Sequence, residues 1–323
     1  MRHRSLLAGA LTLAAFCCTA GTALATPTFS LRVEVPGGTL EPGSMFASRS
    51  PIGSLRGQTL PNGDCVRGGG QLPLAGQTAL GLVASAANAT KSLQPLLVAE
   101  DSFGKRVCRV AGFNETDSPF SGWLYRVNHV SPPYAGDLAE LKKGDEVLWA
   151  FANFGSGANT GDELVLSAPA RTAPGTIEVT VDAVTFDGVT KPAPDGTVVS
   201  GGTSPATTAG GRALVPVAAG TTLLRATGPG TAPTEIPSSR QSVCALADPA
   251  DCPARPGLRI VGTNVRDTFK GGPGPDSIRA RGGRDKVRVR GGGPDRVNCG
   301  KGRDVAIVDA GDVVRKCEKV KRP

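Results

Sequence analysis

The sequence predicts a mainly β, multidomain protein with one α+β part. Only 4% of the 323 residues are aromatic, whereas 44 are Gly and 26 are Pro. This composition favours turn-rich β structure with several small cores over one large enzyme core. Short alternating apolar and polar runs separated by Gly, Pro and Asp predict strands along most of the chain. Near the C-terminus, Asp recurs about every nine residues, which predicts a repeat architecture there.

The first 25 residues have the pattern of a signal peptide. Three basic residues at positions 2–4 precede an apolar stretch, residues 6–16, that is too short to span a bilayer. Ala23-Leu24-Ala25 fits an A-x-A cleavage site. No later apolar run reaches the length of a membrane span. We therefore predict export, with residues 1–25 removed and no membrane span.

The cysteine pattern agrees with an oxidising compartment. Six Cys follow residue 25, and their clustering predicts three local bridges: Cys65–Cys108, Cys244–Cys252 and Cys299–Cys317. The alternative is that some of them stay free thiols. Zinc is disfavoured because the chain after residue 25 has no C-x-x-C pair and a single His.

The first domain is predicted over residues 26–170. Phe29–Val35 alternates as a strand, residues 36–70 have the composition of loops, and Leu80, Val83, Ala84 and Ala87 lie on one face of a helix. Further strands are predicted at residues 103–110, 123–127 and 146–151.

The segment GWLYRVNHVSPPYAGDLAELKKGDEVLWAF, residues 122–151, resembles the end of the transcobalamin C-terminal-like domain. Members of that family show a G-W-x-Y-x-V-N strand followed by a K-x-G-D-x-V-x-W strand. The resemblance extends over residues 29–168 and implies a β-grasp-like fold, a small sheet packed on one helix. Because the related domain of transcobalamins helps to enclose cobalamin, it also raises cobalamin or corrinoid binding as one alternative function.

Three aromatic residues, Trp123, Tyr125 and Trp149, lie on the two strands of that motif. The simpler interpretation places them in the core and on the strand faces. The functional alternative is an aromatic patch that stacks on a sugar or another planar ligand.

A small β-sandwich is predicted over residues 171–236, with strands at residues 176–181, 197–200, 212–217 and 221–227. The segment GGRALVPVAAGTTLLRATGPG, residues 210–230, resembles carboxypeptidase-regulatory-like or prealbumin-like modules. That resemblance implies a non-catalytic spacer or contact module. Residues 237–257 are predicted to form a linker tied by Cys244–Cys252.

Residues 258–323 carry the repeats. Asp267, Asp276, Asp285, Asp295, Asp304 and Asp312 are followed two positions later by Phe269, Ile278, Val287, Val297, Ala306 and Val314. The segment GGPGPDSIR, residues 271–279, fits the unit G-G-x-G-x-D-x-apolar-x. The pattern resembles the hemolysin-type (RTX) calcium-binding repeats of secreted toxins and proteases, which implies a β-roll.

Calcium is the cofactor that this resemblance implies. Turn carbonyls and the carboxylates of Asp267, Asp276, Asp285, Asp295 and Asp304 would supply the oxygen ligands that calcium prefers. However, Arg266, Arg284 and Arg303 directly precede three of these Asp residues, so we expect weak binding, with a dissociation constant on the order of 10⁻³ M. The alternative is that Asp–Arg pairs replace the metal.

The charge is concentrated in the same segment. Residues 258–323 contain 17 Lys/Arg and 8 Asp/Glu, a net charge of +9, whereas the rest of the chain has a net charge of −1. The simpler interpretation of this asymmetry is an ordinary solvated face, and the functional alternative is attachment to anionic envelope polymers. Phe269 is the only aromatic residue of the segment, so base stacking, and with it specific nucleic-acid recognition, is disfavoured.

No catalytic constellation is apparent. His129 has no G-x-S-x-G motif or other nucleophile motif near it, and Asp145 and Glu146 would point to opposite sides of a strand. We therefore predict a non-enzymatic, secreted or cell-envelope binding protein. The alternatives are a calcium-dependent secreted hydrolase and a cobalamin-binding protein.

Overall fold

A computed structural model describes residues 25–48, 52–57, 70–74, 76–101, 104–115, 121–153, 161–230 and 235–323. Across these residues the chain is mostly β and contains one α-helix, which confirms the mainly β class. The predicted signal peptide and Cys65 lie outside the described residues.

The described residues of the N-terminal part form nine strands and the helix. They are β1 (Thr28–Val35), β2 (Gly38–Ala47), β3 (Ile52–Gly57), β4 (Gly70–Leu74), α1 (Ala79–Ala89), β5 (Leu96–Asp101), β6 (Gly104–Val110), β7 (Phe113–Asn114), β8 (Ser121–Val127) and β9 (Glu146–Asn153), with a 3₁₀ turn at Lys91–Leu93. Strand β1 pairs antiparallel with β2 and parallel with β9, and β9 pairs antiparallel with β8.

Helix α1 is confirmed at its predicted place. The Thr78 hydroxyl accepts a hydrogen bond from the Gly81 N–H at 3.0 Å and caps the first turn. Leu80, Leu82 and Val83 are fully buried with β1 and β9 in one apolar core. The helix is buried on more than the predicted face, because its small Ala residues allow close approach around most of its circumference.

The prediction of loops over residues 36–70 is wrong for β2 and β3. Strand β2 lies between two partners, and backbone hydrogen bonds to β1 stabilise it in spite of its Gly and Pro content. Its pairing register shifts opposite Leu31 and Arg32, beside Pro42 and Gly43, and Gly43 has φ +108°. A bulge of this kind accommodates residues that a regular strand excludes.

The middle part holds the next nine strands. They are β10 (Glu163–Ser167), β11 (Arg171–Thr172), β12 (Gly175–Val184), β13 (Thr190–Pro192), β14 (Val198–Ser200), β15 (Ala206–Thr207), β16 (Arg212–Val217), β17 (Gly220–Thr227) and β18 (Gln241–Ala245). They form two sheets, one of β10, β12, β13 and β16 and one of β11, β18, β17, β14 and β15. Both sheets contribute to one apolar core that includes Val181, Val215 and Leu224. Strand β18 lies in the predicted linker and pairs with β17, so part of that segment belongs to the second sheet.

The last ten strands lie in residues 258–323, which we call the repeat region. They are β19 (Arg259–Val261), β20 (Thr268–Lys270), β21 (Ser277–Arg279), β22 (Gly282–Gly283), β23 (Lys286–Arg288), β24 (Arg296–Asn298), β25 (Lys301–Gly302), β26 (Val305–Ile307), β27 (Val313–Arg315) and β28 (Lys319–Lys321). A 3₁₀ turn at Pro249–Asp251 precedes them.

Strands of the repeat region pair in parallel with strands one full coil away. Ile278 lies opposite Ile260, 18 residues earlier, and opposite Val297, 19 residues later. Two four-stranded runs result, one through β19, β21, β24 and β27 and one through β20, β23, β26 and β28, and β22 pairs with β25 in a small third sheet. The apolar residue two positions after each Asp points inward: Phe269, Ile278, Val287, Val297 and Ala306 are buried, and Val314 packs on the same core.

The N-terminal sheet continues directly into the repeat region. Strand β19 pairs in parallel with β2, with Ile260 opposite Met45, so eight strands form one shared sheet in the order β8-β9-β1-β2-β19-β21-β24-β27. The second repeat sheet also contacts the N-terminal part, because the Thr26 N–H donates to the carbonyl of Thr268, the first residue of β20, at 2.8 Å. The N-terminal part therefore covers the first edge of both repeat sheets. The sheet β20-β23-β26-β28 contains no strand of the N-terminal part, and we call it the free sheet.

Two of the predicted disulfides are present. Cys244 is bonded to Cys252 and Cys299 to Cys317, which fits an oxidising compartment. Cys108 is disulfide-bonded as well, but its predicted partner Cys65 lies outside the described residues. The part of the chain that the structure describes contains no helix with the length and apolar character needed to cross a membrane.

Candidate functional site

Six of the seven aspartates of the repeat region lie inside it and form two ladders. Each ladder aspartate is at most 6% exposed. In the first ladder, a carboxylate oxygen of Asp276 accepts a hydrogen bond from the Leu258 N–H, Asp295 accepts from the Asp276 N–H, and Asp312 accepts from the Asp295 N–H, at 2.7 to 2.9 Å. Each carboxylate thus binds the backbone of the preceding coil.

The second ladder follows the same rule on the other edge of the coil. Asp285 accepts from the Asp267 N–H at 2.8 Å, and Asp304 accepts from the Asp285 N–H at 2.7 Å. At the last coil Glu318 takes the place of an aspartate and accepts from the Asp304 N–H at 2.7 Å. The ladders therefore extend the backbone pairing of the sheets through side chains.

Turn residues supply further donors to these carboxylates. The second oxygen of Asp276 accepts from the Gly272 N–H at 2.6 Å, and that of Asp312 accepts from the Asp309 N–H at 2.6 Å. Asp267 accepts from both the N–H and the hydroxyl of Thr263 at 2.8 and 2.9 Å. These carboxylates accept from N–H groups three or four residues earlier and so stabilise the turn that precedes them.

At two glycines of the repeat region a side chain would clash with neighbouring atoms. A Cβ on Gly271 would lie 2.5 Å from a carboxylate oxygen of Asp276, and one on Gly302 would lie 1.6 Å from the Gly283 carbonyl oxygen. Gly302 also has φ +146°. The turn wraps closely around the carboxylate and the neighbouring coil, which only glycine permits at these positions.

Burial acts on the charge of the ladders. Burial raises the pKa of Asp295 to about 6, the negative charges of Asp312, Asp276 and Asp309 add to that effect, and the hydrogen bond from the Asp276 N–H opposes it. One carboxylate oxygen of Asp295 and one of Asp304 are buried without a hydrogen-bond partner. An oxygen of this kind is available to a cation, but these two belong to different ladders.

The arrangement does not fit a calcium cage. Calcium takes six to eight oxygen ligands, whereas most ladder oxygens face N–H donors, whose positive ends repel a cation. Among the described residues no group of three or more His, Cys, Asp or Glu side chains converges as a metal site. Calcium binding by Asp267, Asp276, Asp285, Asp295 and Asp304 stays a prediction of the sequence, which these contacts do not support.

The alternative of Asp–Arg pairing is not what the structure shows either. Arg266, Arg284 and Arg303 are exposed, and within the described ranges no ion pair joins them to a ladder aspartate. They point away from the carboxylates because neighbouring residues of an extended chain face opposite sides. The backbone N–H groups take the place that arginine was expected to hold.

The outer surface of the repeat region is basic. On the free sheet the outward strand positions are Thr268, Lys270, Lys286, Arg288, Val305, Ile307, Lys319 and Lys321, and all five cations among them are exposed. None of the eight positions is acidic, and the described part of the chain holds no carboxylate within ion-pair distance of these cations. The repeat region thus keeps its six ladder carboxylates inside and these cations outside.

The predicted aromatic residues belong to the N-terminal core. Trp149 is 2% exposed and donates its indole N–H to the Ala79 carbonyl at 3.2 Å. Tyr125 stacks on Trp149 with ring centroids 5.0 Å apart, and its hydroxyl donates to the Tyr134 carbonyl at 2.6 Å. Trp123 is half-buried and donates to the Phe113 carbonyl. Their polar atoms are therefore already bonded to the protein; ligand binding by these three residues stays a prediction.

A buried charge cluster that sequence reasoning missed joins the N-terminal and middle parts. Glu163 of β10 is 1% exposed and forms ion pairs with Arg32 of β1, with Arg126 of β8 at 3.7 Å and with His129 at 3.1 Å. Arg32 also donates to the Pro237 carbonyl. We call Arg32, Arg126, His129 and Glu163 the junction cluster. The junction cluster could not be predicted from residue spacing, because its members are up to 131 residues apart in the sequence.

The junction cluster holds the two parts together and shifts the pKa of its members. The hydrogen bond to Glu163 raises the pKa of His129, and burial opposes that shift only in part. Burial raises the pKa of Glu163, but His129, Arg32 and Arg126 together outweigh it, so the pKa lies below its usual value. His129 and its neighbour Asn128 lie in a turn and have positive φ.

Asp145 and Glu146 contact different partners. Asp145 accepts hydrogen bonds from the Asn128 side chain at 2.9 Å and from the Lys142 N–H at 2.7 Å, which fixes the turn before β9. Glu146 instead approaches Arg32 at 3.8 Å.

Comparison with known proteins adds no assignment to this geometry. No family model, no curated protein and no solved structure matches the chain.

Proposed function

We propose that the chain is a non-enzymatic protein, secreted or held at the cell envelope, that binds linear anionic envelope polymers through its repeat region. In this proposal the repeat region is a β-roll-like coil. The observation that carries the proposal is the charge arrangement of the free sheet, where five of eight outward positions are cations and none is acidic.

The spacing of these cations suits a chain of anionic groups. Neighbouring strands lie about 4.8 Å apart, and alternate residues along a strand about 6.6–6.8 Å apart. Lys286 and Arg288 on β23 and Lys319 and Lys321 on β28 therefore form two cation pairs, with Lys270 beside the first pair. A polymer carrying one charge per sugar or phosphate unit would meet several of them at once.

The side chains of the free sheet favour recognition by charge rather than by the shape of the polymer. Its outward positions contain no aromatic side chain, so bases or sugar rings find no stacking surface there. Binding by rows of Lys and Arg releases counterions from the polymer and therefore weakens steeply with salt. We expect a phosphodiester polymer of the teichoic-acid type to bind regardless of its sugar substituents.

The experiment is a binding titration of the purified full-length protein with soluble glycerol-phosphate teichoic acid at several salt concentrations. In a triple variant, Lys270→Gln/Lys286→Gln/Arg288→Gln, the slope of log K against log salt should fall by about one for each lost contact. The matched control removes three exposed cations from the N-terminal part, Lys91→Gln/Lys142→Gln/Lys143→Gln.

The proposal predicts that the control binds as the wild type does while the triple variant binds at least about tenfold more weakly at low salt. Equal loss in both variants would show that net charge alone attracts the polymer. No binding by the wild type would reject the proposal. Within the described residues nothing favours the hydrolase or cobalamin alternatives, which stay predictions.

A further inference from the structure

We propose that the two aspartate ladders take over the structural role that calcium has in repeats of this pattern, so that the repeat region forms and persists without a metal ion. The observation behind this inference is the orientation of the carboxylates. Five of the six ladder aspartates accept an N–H from one coil earlier, that of Leu258 or of another aspartate, and these are Asp276, Asp285, Asp295, Asp304 and Asp312.

The backbone needs these acceptors. In each coil the short strand begins directly after the Asp, so the N–H of that Asp lies outside the regular strand pairing. Asp276, Asp285 and Asp295 are nearly fully buried, and an N–H left unpaired there would lose its bonds to water without replacement. The carboxylate of the next coil is the group that satisfies it.

The charge balance also removes the need for a cation. Acidic repeats require a counterion to bring their carboxylates together, but this segment carries 17 Lys/Arg against 8 Asp/Glu. All six ladder aspartates are inside, and the cations surround them. A dication entering a ladder would meet the repulsion of exposed Arg266, Arg284 and Arg303 in the turns.

The coil also has fixed ends that do not depend on metal. Its first strands pair with β2 and contact Thr26, where the Thr268 N–H donates to the Thr26 hydroxyl at 2.8 Å. Near its other end the disulfide Cys299–Cys317 joins the last two coils. Short repeats stack more easily on a preformed sheet edge, because the edge supplies the first set of hydrogen bonds and apolar contacts.

The test follows thermal unfolding of the full-length protein by circular dichroism in EDTA and in about 10 mM calcium, above the ~10⁻³ M dissociation constants of extracellular calcium modules. A ligand that binds only the folded state raises Tm with its concentration. We expect the same Tm in EDTA and in calcium. A Tm several degrees higher in calcium, or loss of the folded state in EDTA, would overturn the inference.

Two substitutions at one ladder position separate the hydrogen bond from the charge. Asp304→Asn keeps an oxygen that accepts from the Asp285 N–H, whereas Asp304→Ala removes it. The ladder predicts a Tm for Asp304→Asn close to that of the wild type and a lower Tm for Asp304→Ala. If Asp304→Ala does not fold, the Tm of Asp304→Asn compared with that of the wild type still distinguishes the ladder from a metal site. A metal site predicts that Asn, a poorer calcium ligand, abolishes a calcium-dependent rise in Tm.

Discussion

Replacing Glu163 with Gln tests whether the junction cluster stabilises the protein. Glu163 is 1% exposed and lies between two guanidinium groups that are themselves at most 1% exposed, those of Arg32 and Arg126. Gln has nearly the same shape as Glu, so packing is retained while the negative charge is lost. The substitution therefore measures the electrostatic part of the junction.

The expected loss of stability depends on the hydrogen-bond partners that Arg32 and Arg126 keep in the variant. Removing one member of a buried ion pair costs about 3–5 kcal/mol because the other charge is left uncompensated. Here Arg126 keeps the Val184 and Gly161 carbonyls at 2.8 and 2.6 Å, and Arg32 keeps the Pro237 carbonyl. We therefore expect a loss near the lower limit, about 3 kcal/mol in the free energy of unfolding.

The pH dependence has a definite sign. The pKa of Glu163 is lowered in the fold, so its contribution is present above the unfolded pKa of about 4.3 and is lost as pH falls through the folded pKa. The pKa of His129 is raised, so its contribution is complete below about 6.5 and is lost as pH rises through the folded pKa. Both contribute fully between about pH 4.3 and 6.5, so Glu163→Gln should cost more at pH 5.5 than at pH 8.

The assay is urea unfolding at the two pH values, with Glu178→Gln as the control. Glu178 and its partner Arg212 are more than half exposed, and such surface pairs contribute little. A Glu163→Gln protein within about 0.5 kcal/mol of the wild type at both pH values would refute the reasoning, because surface substitutions produce changes of that size.

Three further predictions concern the ladders, the helix and the disulfide. Because the pKa of Asp295 is raised to about 6, its ionised form destabilises the fold above that pH, so Asp295→Asn should raise Tm at pH 8 and change it little at pH 4. Thr78→Ala removes the acceptor for the Gly81 N–H and should cost about 1 kcal/mol in urea unfolding. Replacing both Cys299 and Cys317 with Ala opens a loop closed over 18 residues and should cost about 3 kcal/mol in urea unfolding.

Each of these has a result that would contradict it. An Asp295→Asn protein with a lower Tm at pH 8 would show that the carboxylate charge stabilises the ladder. An unchanged Thr78→Ala protein would mean that the helix start is held by packing alone. The intact bridge is first verified in the wild type by mass spectrometry. If the double Ala variant then unfolds at the same urea concentration as the wild type, the disulfide does not stabilise the repeat region.

Much of the secondary structure could be predicted from the sequence because it depends on local pattern. The alternation of Phe29–Val35 and of Thr176–Val181, and the helical spacing of Leu80 and Val83, each place one apolar face toward a core. The failure at β2 has the opposite cause. Its Gly and Pro residues disfavour a strand locally, and tertiary contacts, including its pairing with β1 and β19, stabilise it.

The candidate sites divide in the same way. The nine-residue spacing identified the ladder aspartates and the inward apolar residues, since each unit repeats one turn and one strand. The partner of each carboxylate could not be predicted, because a carboxylate can ligate a metal ion, pair with an arginine or accept a hydrogen bond from a backbone N–H. The junction cluster gave no signal, because Arg32, Arg126 and Glu163 become neighbours only when two sheets meet.

By itself the sequence determined the strand-rich class, the repeat period, the basic C-terminal segment and the local Cys244–Cys252 and Cys299–Cys317 bridges. The tertiary structure alone decided that β2 joins the repeat region to the N-terminal sheet, that the aspartates face N–H donors, and that the cations lie outside. The physical reason is the range of the interactions. Side-chain periodicity acts within a few residues, whereas a hydrogen-bond or ion-pair partner is set by whichever distant segment packs against that face.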